Sequence, residues 1–474
     1  MLLDRSISRP KTPPPGLTTP GSNSSLKTSN FVEFISQTDD DWDVDLGDAG
    51  DGILGSKKKS KFPKSIEYKP PVSSKLGSGA GGSRSQTPAY PTPRRRDTNG
   101  LKPQFEGLVR DPANSLHMIY HPTLSPDTHT EAEIERLNAR ISRINKFKKI
   151  LQSSTVDLAE LRKLAWNGIP EELRPMSWQL LLGYLPANSD RRVSTLERKR
   201  KEFIDGVKQA FSRGTQGLDQ TIWHQISIDV PRTNPHLPLY GFETTQRCLE
   251  RILFVWAIRH PASGYVQGIN DLVTPFFQVF LSAYIDGDVE QFDPVSLPKE
   301  VLDVVEADSF WCLTKLLDGI QDNYIFAQPG ITRQVAALRD LVSRIDQPLV
   351  KHLTDQGVEF IQFSFRWMNC MLMREVSVKN TIRMWDTYMA EGQAGFSEFH
   401  LYVCVAFLVK WSEQLVKMDF QEVMMFLQAL PTQSWGEKEI ELLLSEAFIW
   451  QSLFRNSAAH LKQHNPPPPR LPTL

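Results

Sequence analysis

What this chain lacks narrows its function first. GxxxxGK[ST] does not occur, which argues against a nucleotide held in a phosphate-binding loop of its own. HExxH, a closely spaced Cys/His cluster and an EF-hand loop are also missing, so no metal is implied. Without a GxSxG elbow, a conventional hydrolase is not expected either. Cysteine is scarce: Cys248, Cys312, Cys370 and Cys404 are widely spaced and form no CxxC pair. Each lies in an apolar, helix-like stretch, as buried free thiols of a reducing compartment do. Charge of one sign is missing too. A formal net charge of −1 supplies no global field for nucleic acid or an acidic membrane. The N-terminus, MLLDRSISRPKTPPPG, has no apolar core of signal-peptide length. No run reaches the ~18 apolar residues of a membrane span. The nearest, residues 272–285, is interrupted by Thr274, Pro275, Gln278 and Ser282 and reads as a buried helix. A cytoplasmic protein without a transmembrane segment is expected, with any membrane residence borrowed from a partner.

Composition changes sharply along the 474 residues. Before about residue 125 apolar runs are few and Pro, Ser, Thr, Gly and Lys abound. Beyond it, aromatic and aliphatic residues recur at helical spacing, and only this part can bury a sizeable core. The expected organisation is a disordered regulatory or partner-binding arm over 1–130, an amphipathic connecting helix over 131–157, a folded domain over 158–460 and a Pro-rich tail over 461–474. The tail is expected to be unstructured or polyproline II. In the arm, Thr12-Pro13, Thr19-Pro20, Thr87-Pro88, Thr92-Pro93 and Ser125-Pro126 are candidate proline-directed phosphorylation sites, and phosphate there would suit an Arg-rich reader. Phe31-Val-Glu-Phe34-Ile precedes the acidic stretch around Trp42; this is either a short motif that docks on a basic, apolar groove or a chance cluster. Lys57-Lys58-Lys59 and Arg94-Arg95-Arg96 read as solvated charge, or as weak lipid or nuclear-import contacts. Gly77-Ser-Gly79-Ala-Gly-Gly82 matches GxGxxG, but no strand precedes it and no helix follows, so it is a linker.

Helical periodicity begins at Glu131. Ile134, Leu137, Ile141, Ile144, Phe147 and Leu151 fall three or four residues apart and form one apolar face. A second helix is expected over 157–166, stopped by Gly168-Ile169-Pro170. Phe310, Leu313, Leu317 and Ile320 share the period, as do Val335, Leu338, Val342 and Ile345. Further helices are expected over 359–373, 378–388, 397–416, 420–430 and 437–454. Strands are scarce: Ile226 to Val230 alternates but is short and ends at Pro231. The class is all-α.

Polar residues in apolar or turn-rich surroundings form three clusters. In the first, Pro175 suits a first helical turn, with Arg174 before it and Trp178 one turn along facing inward. By itself this is a capping and packing motif. In the second, Asp229 and Arg232 lie where Pro231, Pro235 and Pro238 deny a continuous helix, which places Arg232 on a loop. An arginine held by a carboxylate presents a rigid fork to phosphate, although an Arg near an Asp is ordinarily a surface ion pair. In the third, Gly264 and Gly268 bracket Gln267 before an apolar helix that Asn270 or Asp271 is placed to cap. Such a glutamine is either a hydrogen-bonding spacer or a residue that orients a water.

Arg174-x-x-x-Trp178, Ile226-x-x-Asp229-x-x-Arg232 and Tyr265-x-Gln267-Gly268, in that order, resemble the RxxxW, IxxDxxR and YxQG fingerprints of the TBC domain family of Rab GTPase-activating proteins. Glu306-Ala-Asp-Ser-Phe-Trp311 and Arg383-Met-Trp385-Asp386 resemble later blocks of that family, and the likeness covers roughly residues 160 to 455. The stretch from Arg251 to Gly268 and the arm around Phe34 and Trp42 are similar to one subgroup, TBC domain family member 22 with its yeast Golgi relative. Ile269 stands where many members have Met, an apolar exchange.

The resemblance implies a V-shaped, two-subdomain all-α domain whose cleft receives the switch regions of a GTP-bound Rab. Arg232 would reach the β- and γ-phosphates, and Gln267 would position the attacking water in place of the Rab's own glutamine. Asp229 would hold Arg232, Tyr265 and Gly268 would support the Gln267 loop, and Arg174 and Trp178 would brace the site. An arginine finger is worth ~10³–10⁵ in rate. Mg and GTP would arrive with the Rab. The chain would then be an activator recruited peripherally to Golgi membranes, its arm a docking point for a Golgi adaptor or phospho-reader. The alternatives are a non-catalytic TBC scaffold binding a Rab or Golgi adaptor, and a generic helical adaptor in which Arg232 and Gln267 lie buried and far apart.

Overall fold

A computed structural model of the chain describes residues 100–119 and 130–455. Among them the fold is all-helical, and β pairing is confined to the isolated bridges Leu101–Ile285 and Thr155–Asn188. Most of the arm expected over 1–130, with its phosphorylation sites, aromatic-acidic cluster and basic runs, lies outside the described residues, as does the tail over 461–474.

Residues 100–119, assigned to the arm on composition, are folded against the domain. Gly100 and Lys102 pair with Asp286 and Tyr284 through their backbones. The Lys102 ammonium donates to Ser282 O (3.1 Å) and Ala283 O (3.0 Å), the carbonyl end of the helix Thr274–Ser282, where a cation is favoured. Leu108 and Leu116, on short helices, are buried. Their polar surroundings hid them in the sequence, because one apolar residue per short helix leaves no periodic signal.

The helix Glu131–Leu151 opens on a capping box. Thr130 Oγ1 accepts from Glu133 N (3.3 Å) while the Glu133 carboxylate accepts from Thr130 N (2.8 Å). Ile144, Phe147 and Leu151 are buried, whereas Ile134, Leu137 and Ile141 are half-exposed. Helices also fill Leu158–Ala165, Lys299–Asp318, Pro329–Ile345, Phe360–Asn369, Val378–Ala390, Phe420–Gln428 and Glu437–Phe454, close to the expected ranges. Arg192–Ala210 and Glu243–Arg259 add two long helices beyond those expected. The expected helix 397–416 is divided: a π-helical turn over Gly395–Phe399 leads into His400–Val409, and Ser412–Leu415 follows separately. Gly395 makes that turn by approaching Tyr388 so closely that a Cβ would lie 1.8 Å from its carbonyl oxygen. The stretch Gly392–Val409, though interrupted by Glu398 and His400, is long and apolar enough to cross a membrane by length and composition alone. Here 61% of it is buried inside the protein.

Val378–Ala390 joins the packing. All its residues except Lys379 are buried. It contacts Leu158–Ala165, Arg174–Leu181 and Thr274–Ser282 from the N-terminal part and Glu437–Phe454 from the C-terminal part. Its Asp386 is completely buried and accepts from Ile169 N (2.8 Å), Trp178 Nε1 (2.7 Å) and Arg174 Nε and Nη2 (both 3.1 Å). Trp178, Trp385 and Phe276 pack ring to ring around it. A second buried acid, Asp308, accepts from Gln179 (2.8 Å), Tyr184 OH (2.8 Å) and Arg200 Nη2 (2.7 Å), and Arg200 also donates to Val109 O in the N-terminal segment.

Two stability outcomes follow from this packing. Removing residues 1–119 rather than 1–99 strips two buried leucines, each worth ~1.5–3 kcal/mol, and should lower the urea midpoint; equal midpoints would mean that the segment contributes nothing. Asp386→Asn leaves Arg174 facing a neutral amide in a desolvated site and should cost about 3–5 kcal/mol by denaturant unfolding, the usual size for one half of a buried pair.

Candidate functional site

Arg232 is the last residue of the helix Gln220–Arg232, which Asp219 caps by accepting from Thr221 N (2.9 Å) and Ile222 N (3.3 Å). This corrects two readings, the alternating strand over 226–230 and the loop arginine. Proline removes one amide donor, but Pro231 stands a single residue before the end, where the helix loses little. Thr233 closes the last turn instead: its amide donates to Val230 O (3.2 Å) and its Oγ1 to Asp229 O (2.9 Å). The Arg232 side chain is exposed, while Asp229, Val230 and Thr233 around it are buried.

Asp229 turns its carboxylate toward the other motif. Tyr265 OH donates to Asp229 Oδ2 (2.7 Å). Burial pushes the Asp229 carboxyl up to about 6, and the Asp271 anion pushes the same way; the Tyr265 hydroxyl, Arg374 and Arg232 pull it back. Burial, with the Asp229 anion beside it, raises Tyr265 well above the usual phenol range, so it remains a donor. Asp229 therefore orients Tyr265 through a hydrogen bond and presents negative charge to Arg232.

Gln267 is exposed at the tip of a turn whose following residues, 268–273, are all buried. Gly268 takes φ +103 at the N-terminus of the helix Ile269–Leu272. A Cβ there would be strained by that φ and would stand 2.4 Å from Asn369 Nδ2, so the position accepts only glycine without rearrangement. Asn369 Nδ2 donates to Gln267 O (2.9 Å). Asn270 accepts from Gly268 N (2.8 Å) and donates to Thr233 Oγ1 (3.0 Å). One side chain thus ties the residue after Gln267 to the residue after Arg232. The expected cap is corrected here. Asn270 makes this clamp, Asp271 pairs with Arg374 (3.0 Å), and neither caps a helix. The helix expected over 272–285 is also two pieces, Ile269–Leu272 and Thr274–Ser282, the second with Pro275 in its first turn.

The structure brings Arg232, Asp229, Tyr265, Gln267 and Gly268 into one connected cluster. Arg174 and Trp178 belong to the Asp386 node, where they hold helices together. Thr233, Asn270 and Asn369 are the residues that sequence reasoning missed. Asn270 was visible as a polar residue beside the third motif. Asn369, 102 residues from its partner, gave no local signal. Among the cluster's exposed tips are a guanidinium and an amide, groups that stabilise charge and orient water but neither attack nor transfer protons. Such a pair assists chemistry on a substrate that brings its own reacting groups.

A family profile described as the Rab-GTPase-TBC domain matches residues 171–416. "GTPase-activating protein gyp1" of Schizosaccharomyces pombe is 51% identical over 474 residues, which cover 97% of this chain and 87% of that protein. "TBC1 domain family member 22B" of Homo sapiens is 45% identical over 454 residues, covering 92% of this chain and 89% of that one. A crystal structure of the Ypt/Rab-GAP domain of Gyp1p superposes with a TM-score of 0.64 at 56% identity, covering 66% of this chain and 99% of the other. With the matched profile spanning 171–416 and such relatives extending over nearly its full length, the chain belongs to the Rab-GTPase-TBC domain family.

Proposed function

We propose that this protein is a GTPase-activating protein for a Rab-type small GTPase and inserts Arg232 and Gln267 into its partner's active site. The observation that carries the reading is the contrast between two exposed side chains and the buried, mutually bonded residues beside each. Phosphoryl transfer to water needs positioning and charge stabilisation more than covalent chemistry. Arg232 supplies the charge, reaching the β- and γ-phosphates. Gln267 orients the water. Asp229, Tyr265, Gly268 and Asn270 keep the two tips in fixed register, which preserves the benefit of orientation. Mg and GTP arrive with the Rab. Peripheral recruitment to Golgi membranes, through an adaptor or phospho-reader bound to the arm, belongs to the same reading and rests on the likeness to the member 22 subgroup.

Single-turnover GTP hydrolysis across a panel of Rabs tests it. Arg232→Ala should reduce the stimulated rate by ~10³-fold or more on the responding Rab, and Gln267→Ala should abolish most of the stimulation while GTP-dependent binding persists. A Rab whose own switch glutamine has been replaced should still respond to the wild-type protein. Binding without stimulation of any Rab would instead mean a non-catalytic scaffold.

The pH dependence follows from Asp229. Because burial raises its folded-state value to about 6, the folded protein keeps a proton there that an unfolded chain releases near 3.8. Its contribution to stability is therefore full below the unfolded value and lost as pH rises through about 6. Stimulation moves the other way, because the anion facing Arg232 forms only above about 6. The ratio of stimulated to intrinsic hydrolysis should fall as pH drops through that value, and Asp229→Asn should flatten the decline. An unchanged slope in the variant would remove Asp229 from this role.

A further inference from the structure

Phe326 is the most exposed large apolar side chain among the described residues, at 93%. A single exposed apolar residue ordinarily needs no explanation, but this one is presented by a strained and closely bonded turn. Ala327 and Gln328 follow it at φ +61 and +43, consecutive non-glycine residues in the left-handed region. Strain of that kind persists only where surrounding structure enforces it, and it concentrates at functional sites. The enforcement is visible. Gln328 N donates to Ile325 O (2.9 Å) and Gln328 Nε2 to Asn323 O (3.0 Å). Gly330 lies so close to Asn323 that a Cβ would stand 2.3 Å from its Oδ1. The exposure of Phe326 therefore belongs to a defined turn and does not come from fraying.

The turn is anchored to the finger cluster. Tyr324 is buried, and its hydroxyl donates to Asn369 O (2.7 Å). Gln328 Nε2 lies 3.5 Å from Asn369 Oδ1. Asn369 is the residue that donates to Gln267 O. A single asparagine thus separates the turn carrying Phe326 from the glutamine finger. The backbone on the other side of Asn369 is strained in the same way, with Met371 and Leu372 at φ +50 and +59. Along the chain Phe326 is flanked by polar groups, Gln321, Gln328 and the Asp322–Arg333 ion pair. An aromatic ring held outward on a fixed backbone loses little conformational freedom on binding, and such rings are enriched among interface hot spots.

We propose that Phe326 is a docking anchor for the GTPase, its ring entering an apolar depression on the GTP-bound partner beside the nucleotide site. This rests on the reading of Arg232 and Gln267 as fingers. Phe326 sets affinity and the choice of GTPase, while Gln267, on the far side of Asn369, acts on the nucleotide.

The test is single-turnover hydrolysis by a responding Rab at increasing concentrations of wild type and Phe326→Ala. The expected result is a half-saturating concentration about tenfold higher or more, with the rate at saturation nearly unchanged and partial recovery in Phe326→Leu. The melting temperature should not move, since the ring is almost fully exposed. If wild type stimulates a Rab and Phe326→Ala saturates at the same concentration on every responding Rab, the proposal is overturned. A wild-type dimer that Phe326→Ala converts to monomer without altering the kinetics would also overturn it, by assigning the ring to self-association. Failure of wild type to stimulate any Rab would refute the finger reading instead; weaker binding of Phe326→Ala to a GTP-loaded Rab would then still identify the anchor.

Discussion

The fold depends on charge that has been taken out of water and fully satisfied. Asp386 has no exposed surface, yet it accepts from a backbone amide, an indole and a guanidinium drawn from the segment 169–178. An isolated carboxylate in that position would be prohibitively expensive. The donors make it tolerable, and they tie the start of the domain to the helix Val378–Ala390. Asp308 does the same for Gln179, Tyr184 and Arg200. Replacing such nodes with apolar residues of matched shape can be neutral for stability. Their distinctive effect is directional: a carboxylate admits donors along few lines, so helices that meet there meet in one register.

The finger cluster applies the same device near the surface. Asp229 receives Tyr265, Asn270 receives Gly268 and reaches Thr233, and Asn369 holds the Gln267 carbonyl. None of these bonds uses the Gln267 amide group. The backbone is constrained and that tip is left exposed, which is the arrangement a residue acting in trans requires. Phe326 extends the pattern to an apolar side chain, held outward by a backbone that would otherwise relax.

Much of this was legible in the sequence, and the exceptions have physical causes. The all-helical class followed from three- and four-residue apolar periodicity, and long periodic helices such as 437–454 were placed to the residue. The cluster of Arg232, Asp229, Tyr265, Gln267 and Gly268 was readable because each motif is local. Prolines misled: Pro231 suggested a loop, but a helix that ends one residue later loses only one amide donor to it. Residues 100–119 were misassigned because composition averages over a window in which two buried leucines are outnumbered. Asn369 and the strained turn at 327–328 could not be read at all, since their meaning depends on contacts across about a hundred residues and on backbone angles that non-glycine side chains do not announce.

The corrected position of Arg232 has its own consequence. A cation at a helix C-terminus is favoured by the helix dipole, typically by 0.3–1 kcal/mol at an exposed site. A transition-state contact worth ~10³–10⁵ in rate corresponds to roughly 4–7 kcal/mol. The helix end therefore gives the guanidinium a resting place that is weak compared with the phosphates it would meet. Asp229 adds attraction of the same modest kind, because its charge is shared with Tyr265 and offset by Arg374. A loop arginine would have to be ordered when the partner binds, at the cost of backbone entropy. At the end of a packed helix, that ordering has already been met by folding.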